Sequence, residues 1–189
     1  MRPLLSYAGE NPEPADQPMV KMLYQSHSAR MSCCQRYRYS LRRRFFDGNG
    51  RVLFIGLNPS AADGEQDDPT IRRCASFARD WGYRSFEVVN LFAWRSAHPD
   101  ALKCCVDPIG PDNELWLLNG LRRADQVIAC WGNHGRYRGR AAAVRALCGD
   151  LSILKLNLGG EPTHPLYLPA GLKPRIWPHK KGLALRIQS

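Results

Sequence analysis

From residue 51 onward the chain alternates, four times over, between short apolar runs and longer stretches in which apolar positions recur every three or four residues. RVLFIGL (51–57), SFEVVNLF (85–92), ADQVIACWG (124–132) and LSILKLNL (151–158) are rich in Val, Ile and Leu, as strands buried on both faces are. PTIRRCASFARDWGY (69–83), GPDNELWLLNGLRRA (110–124) and GRAAAVRALCG (139–149) carry helical periodicity. Pro69 suits a first helical turn, Asp112 an N-cap, and Gly82 and Gly149 C-terminal caps. This alternation predicts an α/β fold of three layers, with a central, mostly parallel four-stranded sheet flanked by helices on both faces. Residues 1–30, rich in Pro, Ser, Glu and Gln, predict a flexible N-terminal arm, which leaves 31–189 as a single α/β domain.

Between arm and first strand lies CCQRYRYSLRRRFFDGNGR (33–51), in which six arginines interleave with Tyr37, Tyr39, Phe45 and Phe46. Such a segment can hold phosphates while its rings stack on bases. It also reads as a half-buried hairpin with a solvated basic face, turning at Asp47-Gly48-Asn49-Gly50. The charge of the whole chain bears on this choice. Twenty-seven Lys plus Arg against 17 Asp plus Glu give +10, and arginine, the bidentate phosphate binder, accounts for 21 of the 27 cations. DNA, another nucleic acid or a nucleotide is therefore the expected partner. No run of some 18 apolar residues crosses a membrane and no long apolar leader precedes the arm, so a cytoplasmic monomer is expected. The seven cysteines include two adjacent pairs and no C-x-x-C, which argues for reduced thiols and against a metal or iron–sulfur cofactor.

In open α/β sheets, ligands bind outside the carboxyl ends of the strands. The segments there are Asn58-Pro59-Ser60, Asn90 through Arg95, Gly132-Asn133-His134-Gly135 and, after a Gly-Gly loop, Thr163-His164-Pro165. Carboxamides both donate and accept, which suits reading the edge of a base or similar heterocycle. Pro59 holds Asn58 extended, fixing its carboxamide at the mouth of the sheet, although Asn-Pro is also a common turn initiator. An amide orients water but is a poor base, so the site fits a dissociative reaction in which the nucleophile needs positioning.

Gly56-Leu57-Asn58-Pro59-Ser60 resembles the first motif of the uracil-DNA glycosylase superfamily, whose asparagine holds the hydrolytic water. Val88-Val89-Asn90-Leu91-Phe92 resembles the strand whose terminal asparagine reads the uracil edge, and Thr163-His164-Pro165 resembles the second motif, whose histidine steadies the departing base. The resemblance spans residues 51–170 and implies a uracil-DNA glycosylase-like fold. It implies catalytic roles for Asn58 and His164, base contacts from Leu57, Pro59, Ser60, Asn90 and Phe92, and an apolar wedge at Leu166 or Tyr167. Ser60 replaces the usual glycine, and the serine of the H-P-S signature is absent. More closely, the chain resembles an uncharacterised, mainly bacterial family with L-N-P-S-x-A-D, D-P-T-I-R-R-C, V-N-L-F-A-x-R, W-G-N-H-G and H-P-L-Y-L, all present here.

Several polar groups lie outside the superfamily pattern. Asp67 or Asp68 either caps the helix at Pro69 or serves as the general base that Asn58 is not, and Asp68 is the catalytic candidate. Arg72 and Arg73, in the first helical turn, are candidate phosphate ligands. Arg95, Asn133 and His134 are candidate ligand contacts. The expected function is a glycosylase-like protein, and hence a hydrolase, that cleaves or binds a modified or deaminated base in nucleic acid. The alternatives are a non-catalytic nucleotide or modified-base binding protein and a hydrolase of free nucleotides.

Overall fold

A computed structural model describes residues 23–60 and 62–177. The fold is α/β with one seven-stranded mixed sheet. Its strands are β1 (Ser26–Met31), β2 (Arg38–Arg44), β3 (Asn49–Gly56), β4 (Tyr83–Asn90), β5 (Gln126–Ala129), β6 (Leu151–Ile153) and β7 (Arg175–Trp177), in spatial order β1-β2-β4-β3-β5-β6-β7. The helices are α1 (Pro69–Asp80), α2 (Asn113–Arg123) and α3 (Arg140–Leu147), with 3₁₀ turns at Pro99–Cys104, Asn133–Gly139 and Pro165–Tyr167.

The four expected strands correspond to β3, β4, β5 and β6, and their pairings β3–β4, β3–β5 and β5–β6 are parallel. The expectation of four strands is corrected by three antiparallel additions, β1 and β2 on one side and β7 on the other. The expected arm loses its last residues to the sheet, since β1 begins at Ser26; residues 1–22 lie outside the described residues. The hairpin is also corrected. β2 and β3 are both neighbours of β4, and the Asp47–Gly50 turn carries the chain across that strand's position.

Burial explains the apolar runs. Val52, Leu53, Phe54 and Ile55 of β3 are all fully buried because helices cover both faces of the sheet. α1 packs Ile71, Cys74, Phe77 and Ala78 onto Val52, Phe54, Phe86, Val88 and Ile128. On the other face Leu117 of α2 and Ala141 and Val144 of α3 join Leu53, Ile55, Val89, Ala129 and Ile153. Asp68 caps α1, its Oδ1 accepting from the Ile71 N–H at 2.8 Å, and Pro69 occupies the first turn. Past its end, Gly82 at φ +80° donates to the Arg79 carbonyl.

The chain leaves β3 towards α1 on one face and leaves β5 towards α3 on the other. Adjacent strands whose exits diverge open a crevice at their carboxyl ends. No described helix is long and apolar enough to cross a membrane. All seven cysteines are free thiols; Cys74, Cys130 and Cys148 are buried, and burial pushes each of these three up in pKa.

Candidate functional site at the carboxyl ends of the parallel strands

A cleft of about 590 Å³ occupies this crevice. Leu57, Asn58, Ser60, Asp68, Asn90, Asn133, His134, His164, Leu166 and Tyr167, ten of the residues singled out in the sequence, line it. The β3 and β4 exits are laced together by backbone bonds from Leu91 N–H to Gly56, Phe92 N–H to Leu57 and Ser96 N–H to Pro59. Asn58 adds to this lacing, its Nδ2 donating to the Ser96 carbonyl at 2.8 Å and the Pro59 carbonyl at 3.1 Å. Those two bonds fix the amide so that Oδ1 is left as an acceptor.

Asn90 is 3% exposed and stands opposite Gly56 in the parallel register. A Cβ at position 56 would lie 2.7 Å from Asn90 Oδ1, so glycine there is what admits the carboxamide. The main chain at this point is clamped from behind. Asn113 Nδ2 donates to the Asn90 and Leu91 carbonyls, and Arg140 Nε donates to Leu91 at 2.8 Å. Asn90 Nδ2 itself is buried with no protein partner. An unmet buried amide donor costs about 1–3 kcal/mol, which a ligand acceptor in the cleft would offset. Gly56→Ala should turn this carboxamide aside, lowering stability by about 1–3 kcal/mol and abolishing ligand-induced thermal stabilisation. Thermal melts with a panel of free bases and nucleotides test both effects.

Across the cleft, His164 precedes the Pro165–Tyr167 turn, and its Nδ1 accepts from the Leu166 N–H at 3.4 Å. The ring proton therefore resides on Nε2. Burial pulls the His164 pKa below the ordinary 6.5, opposed by the charge of Asp68, so the imidazole is neutral at pH 7. Because its folded pKa is depressed, protonation favours the unfolded chain. Its contribution to stability is complete above pH 6.5 and is lost as pH falls towards the folded value. Native protein should lose stability over that acid range by more than His164→Gln does, as urea melts across pH will register.

Asp68 has both oxygens engaged: Oδ1 caps α1, and Oδ2 accepts a hydrogen bond from Ser60 Oγ. It thus orients the Ser60 hydroxyl. Asp67, weighed as the alternative cap or base, does not cap the helix; it lies away from the cleft lining and is bound to Arg43. On the far wall, Asn157 donates to Asn133 Oδ1 at 2.9 Å and accepts from Thr163 Oγ1 at 2.7 Å. Trp131 donates to Glu161, and Gly135 is required beneath the indole, since a Cβ there would fall 2.2 Å from it. His134 is exposed at the rim, as are Leu166 and Tyr167, at 45% and 79%.

Other expected contacts lie elsewhere. Phe92 is fully buried in the core beside Tyr137, which leaves no face for a ligand to stack on. Pro59 is buried and Arg95 donates to the Gln35 carbonyl; neither lines the cleft. Arg72 donates to the Asp67 carbonyl and Arg73 to that of Leu168, with Arg73 also stacked over Phe77 at 5.0 Å, so neither guanidinium lines the cleft. Among the described residues no group of three or more His, Cys, Asp or Glu is placed to hold a metal ion.

Arg38 is a cleft residue that sequence reasoning missed. It is 2% exposed and donates from Nη1 to the Ala62 carbonyl at 2.6 Å, while Nε is buried without a partner. Burial pulls its pKa down to about 10, with Asp68 opposing, so it remains a cation at neutral pH. Its inward turn follows a register shift. Arg30 faces Ser40 whereas Met31 faces Arg38, so Tyr39 is skipped and strict alternation ends there.

The family described as "Protein of unknown function (DUF1643)" matches residues 38–166, about two thirds of the chain. The chain belongs to this family. The match begins at Arg38 and takes in His164, so it spans both walls of the DUF1643 cleft. No curated protein and no solved structure matches the chain.

Proposed function

We propose that this DUF1643 protein is a base-directed, glycosylase-like hydrolase whose cleft receives a modified or deaminated base extruded from nucleic acid. The observation that carries this reading is the convergence of Asn58, Asn90 and His164 on one cleft, with Asn90 Nδ2 buried and unmet. Asn90 Nδ2 donates to an acceptor on the base edge. Asn58 Oδ1 accepts from a water and aims its lone pair at the sugar carbon. The C–O bond forms as the C–N glycosidic bond breaks; the bonding pair leaves with the base, and the water's proton passes to solvent. His164 Nε2–H donates to the base oxygen on which that negative charge gathers, and the neutral ring retains its proton in doing so.

Extrusion costs a few kcal/mol, offset by pocket contacts and by a side chain that fills the vacated stack. Leu166 and Tyr167, exposed on the rim turn, have the position and apolar bulk for that. The sequence resemblance of these segments to the uracil-DNA glycosylase superfamily supports the same assignment. Oligonucleotides carrying uracil, hypoxanthine or modified pyrimidines, incubated with the protein and treated with alkali, should break at one of these bases. Absence of abasic product from all of them overturns the reading.

One observation favours a second reading, binding of a nucleotide or modified base without cleavage: the buried Arg38 cation, whose unmet Nε suits an anionic acceptor such as a phosphate. Stabilisation by mononucleotides but not by oligonucleotides would select it. Hydrolysis of free nucleotides has less support, because Arg72 and Arg73 are engaged away from the cleft.

A further inference from the structure

At the opposite end of the sheet lies a second depression, of about 620 Å³, lined by Arg42, Arg44, Arg51, Arg84 and Arg123 together with Ser26 and Ser28 of the edge strand β1. Arg51 and Asn58 are seven residues apart along and just beyond β3, or about 20 Å at the rise of a strand, so this groove and the cleft are separate places.

Its charge is only partly answered from within. Glu87, fully buried, is shared by Arg42 at 3.1 Å and Arg123 at 3.3 Å. Asp125 accepts from the backbone N–H of Arg51 at 2.7 Å. Arg43, which also borders the depression, is neutralised by Asp67 on the other side of the sheet. Five arginines against Glu87 and Asp125 leave three positive charges in excess. Arg44 is exposed, and neither it nor Arg51 has an acid side chain bonded to its guanidinium among the described residues; Arg84 Nε is buried without a partner. Burial and then repulsion from Arg42 depress the Arg51 pKa; Arg123 adds to the repulsion, and Glu87 and Asp125 oppose it without cancelling it.

The spacing is that of a template for repeated anions. Arg42 and Arg44 are two residues apart on β2 and so about 7 Å apart, and Arg51 on β3 lies two strands away, about 10 Å. Planar guanidinium forks at these intervals suit several phosphates in succession better than one compact anion. The Ser26 and Ser28 hydroxyls, opposite Arg44 and Arg42 in the β1–β2 register, supply uncharged donors along one side.

We propose that this groove is a second nucleic-acid contact, remote from the cleft, that grips the phosphodiester backbone of a single strand without reading its bases. It shares with the proposed function only the class of partner. Electrostatic contacts of this kind release counterions, so affinity falls linearly on a log–log plot against salt, by roughly 0.7 units of slope per phosphate contact on single strands.

The test is fluorescence anisotropy of a labelled single-stranded oligodeoxynucleotide over a range of salt concentrations, with the full chain. The double variant Arg44→Gln/Arg51→Gln spares the Glu87 pairs and should reduce the slope by roughly 1–2 units. Ser28→Glu, which adds an anion and removes no arginine, should weaken binding in the same direction. Asn58→Ala should leave the slope at its native value. Inorganic tripolyphosphate should displace the oligonucleotide from native protein and do so less effectively once Arg44 and Arg51 are gone. An unchanged slope in both groove variants, or equal competition by tripolyphosphate in native and double-variant protein, overturns the proposal. Loss of slope in a protein that excises no base keeps the groove and removes the cleft reading; excision with an unchanged slope does the reverse.

Discussion

Asp67→Ala should lower the stability of the fold by about 3–5 kcal/mol, the largest single effect expected anywhere in the described residues. The Arg43 side chain is fully buried, and Asp67 is nearly so. Arg43 Nε and Nη2 both donate to Asp67 Oδ1, at 2.9 and 2.7 Å, and the Tyr24 hydroxyl donates to Oδ2 at 2.7 Å. Arg43 also donates to the Asp63 carbonyl at 2.8 Å, so one guanidinium ties β2 to the loop that leads into α1. Burial, and then Asp67, raise the Tyr24 pKa above its ordinary value of 10, which keeps the phenol protonated as the donor.

Removing Asp67 strands a cation in a place without water, which costs more than the pair contributes when intact. Arg43→Met/Asp67→Leu removes both charges and should recover most of the loss, since well-packed apolar replacements of such pairs are often neutral or stabilising. Urea denaturation of the three proteins decides the matter. A single Asp67→Ala variant as stable as native protein would show that the pair anchors nothing.

Asn58→Ala should abolish base excision at an unchanged melting temperature, with a fall in rate of about 10²-fold or more, the scale of a misplaced nucleophile. The side chain is half-buried at the cleft mouth, and its two hydrogen bonds hold a loop that three backbone bonds already hold, so the fold has little to lose. Asn58→Asp separates orientation from shape. A carboxylate has no N–H to donate to the Ser96 and Pro59 carbonyls, so it should fail although its size is almost the same. Single-turnover excision on the base found active in the wider screen gives the numbers. A rate equal to native in Asn58→Ala would remove the water-positioning role.

The legible parts of the sequence were those in which one physical rule dominated. β3 is buried on both faces, so its composition alone marks it as a central strand, and the polar residues that follow it open onto the cleft. β2 was not legible because two rules conflict in it. Its arginines read as solvated or nucleic-acid-facing, yet Arg43 is buried against an acid 24 residues away, and the skipped register at Tyr39 turns Arg38 inward. β6 was legible as an apolar run but is shorter than the run at 151–158, pairing only over Leu151–Ile153; β7, at three residues, is too short for alternation to register and is held by pairing with β6. Phe92 was read as a ligand face because it follows Asn90, but it is two residues further along a chain that re-enters the core, where it packs on Tyr137. Arg72 and Arg73 illustrate the same limit: a helix start attracts anions in general, and here carbonyls of the protein's own loops occupy both side chains.

The position of β2 between β1 and β4 also constrains how the protein is made. Leu41 pairs with Val88, 47 residues later in the chain, and Arg43 requires Asp67. At a synthesis rate of about 5–20 residues per second, β2 leaves the ribosome roughly 2–9 seconds before the strand it must join. During that interval its arginines repel other chains and act as gatekeepers around Tyr39, Leu41 and Phe45. The same charges that read at first as a grip on polyanions thus also keep the open edge of β2, paired on its other side with β1, soluble until β4 arrives.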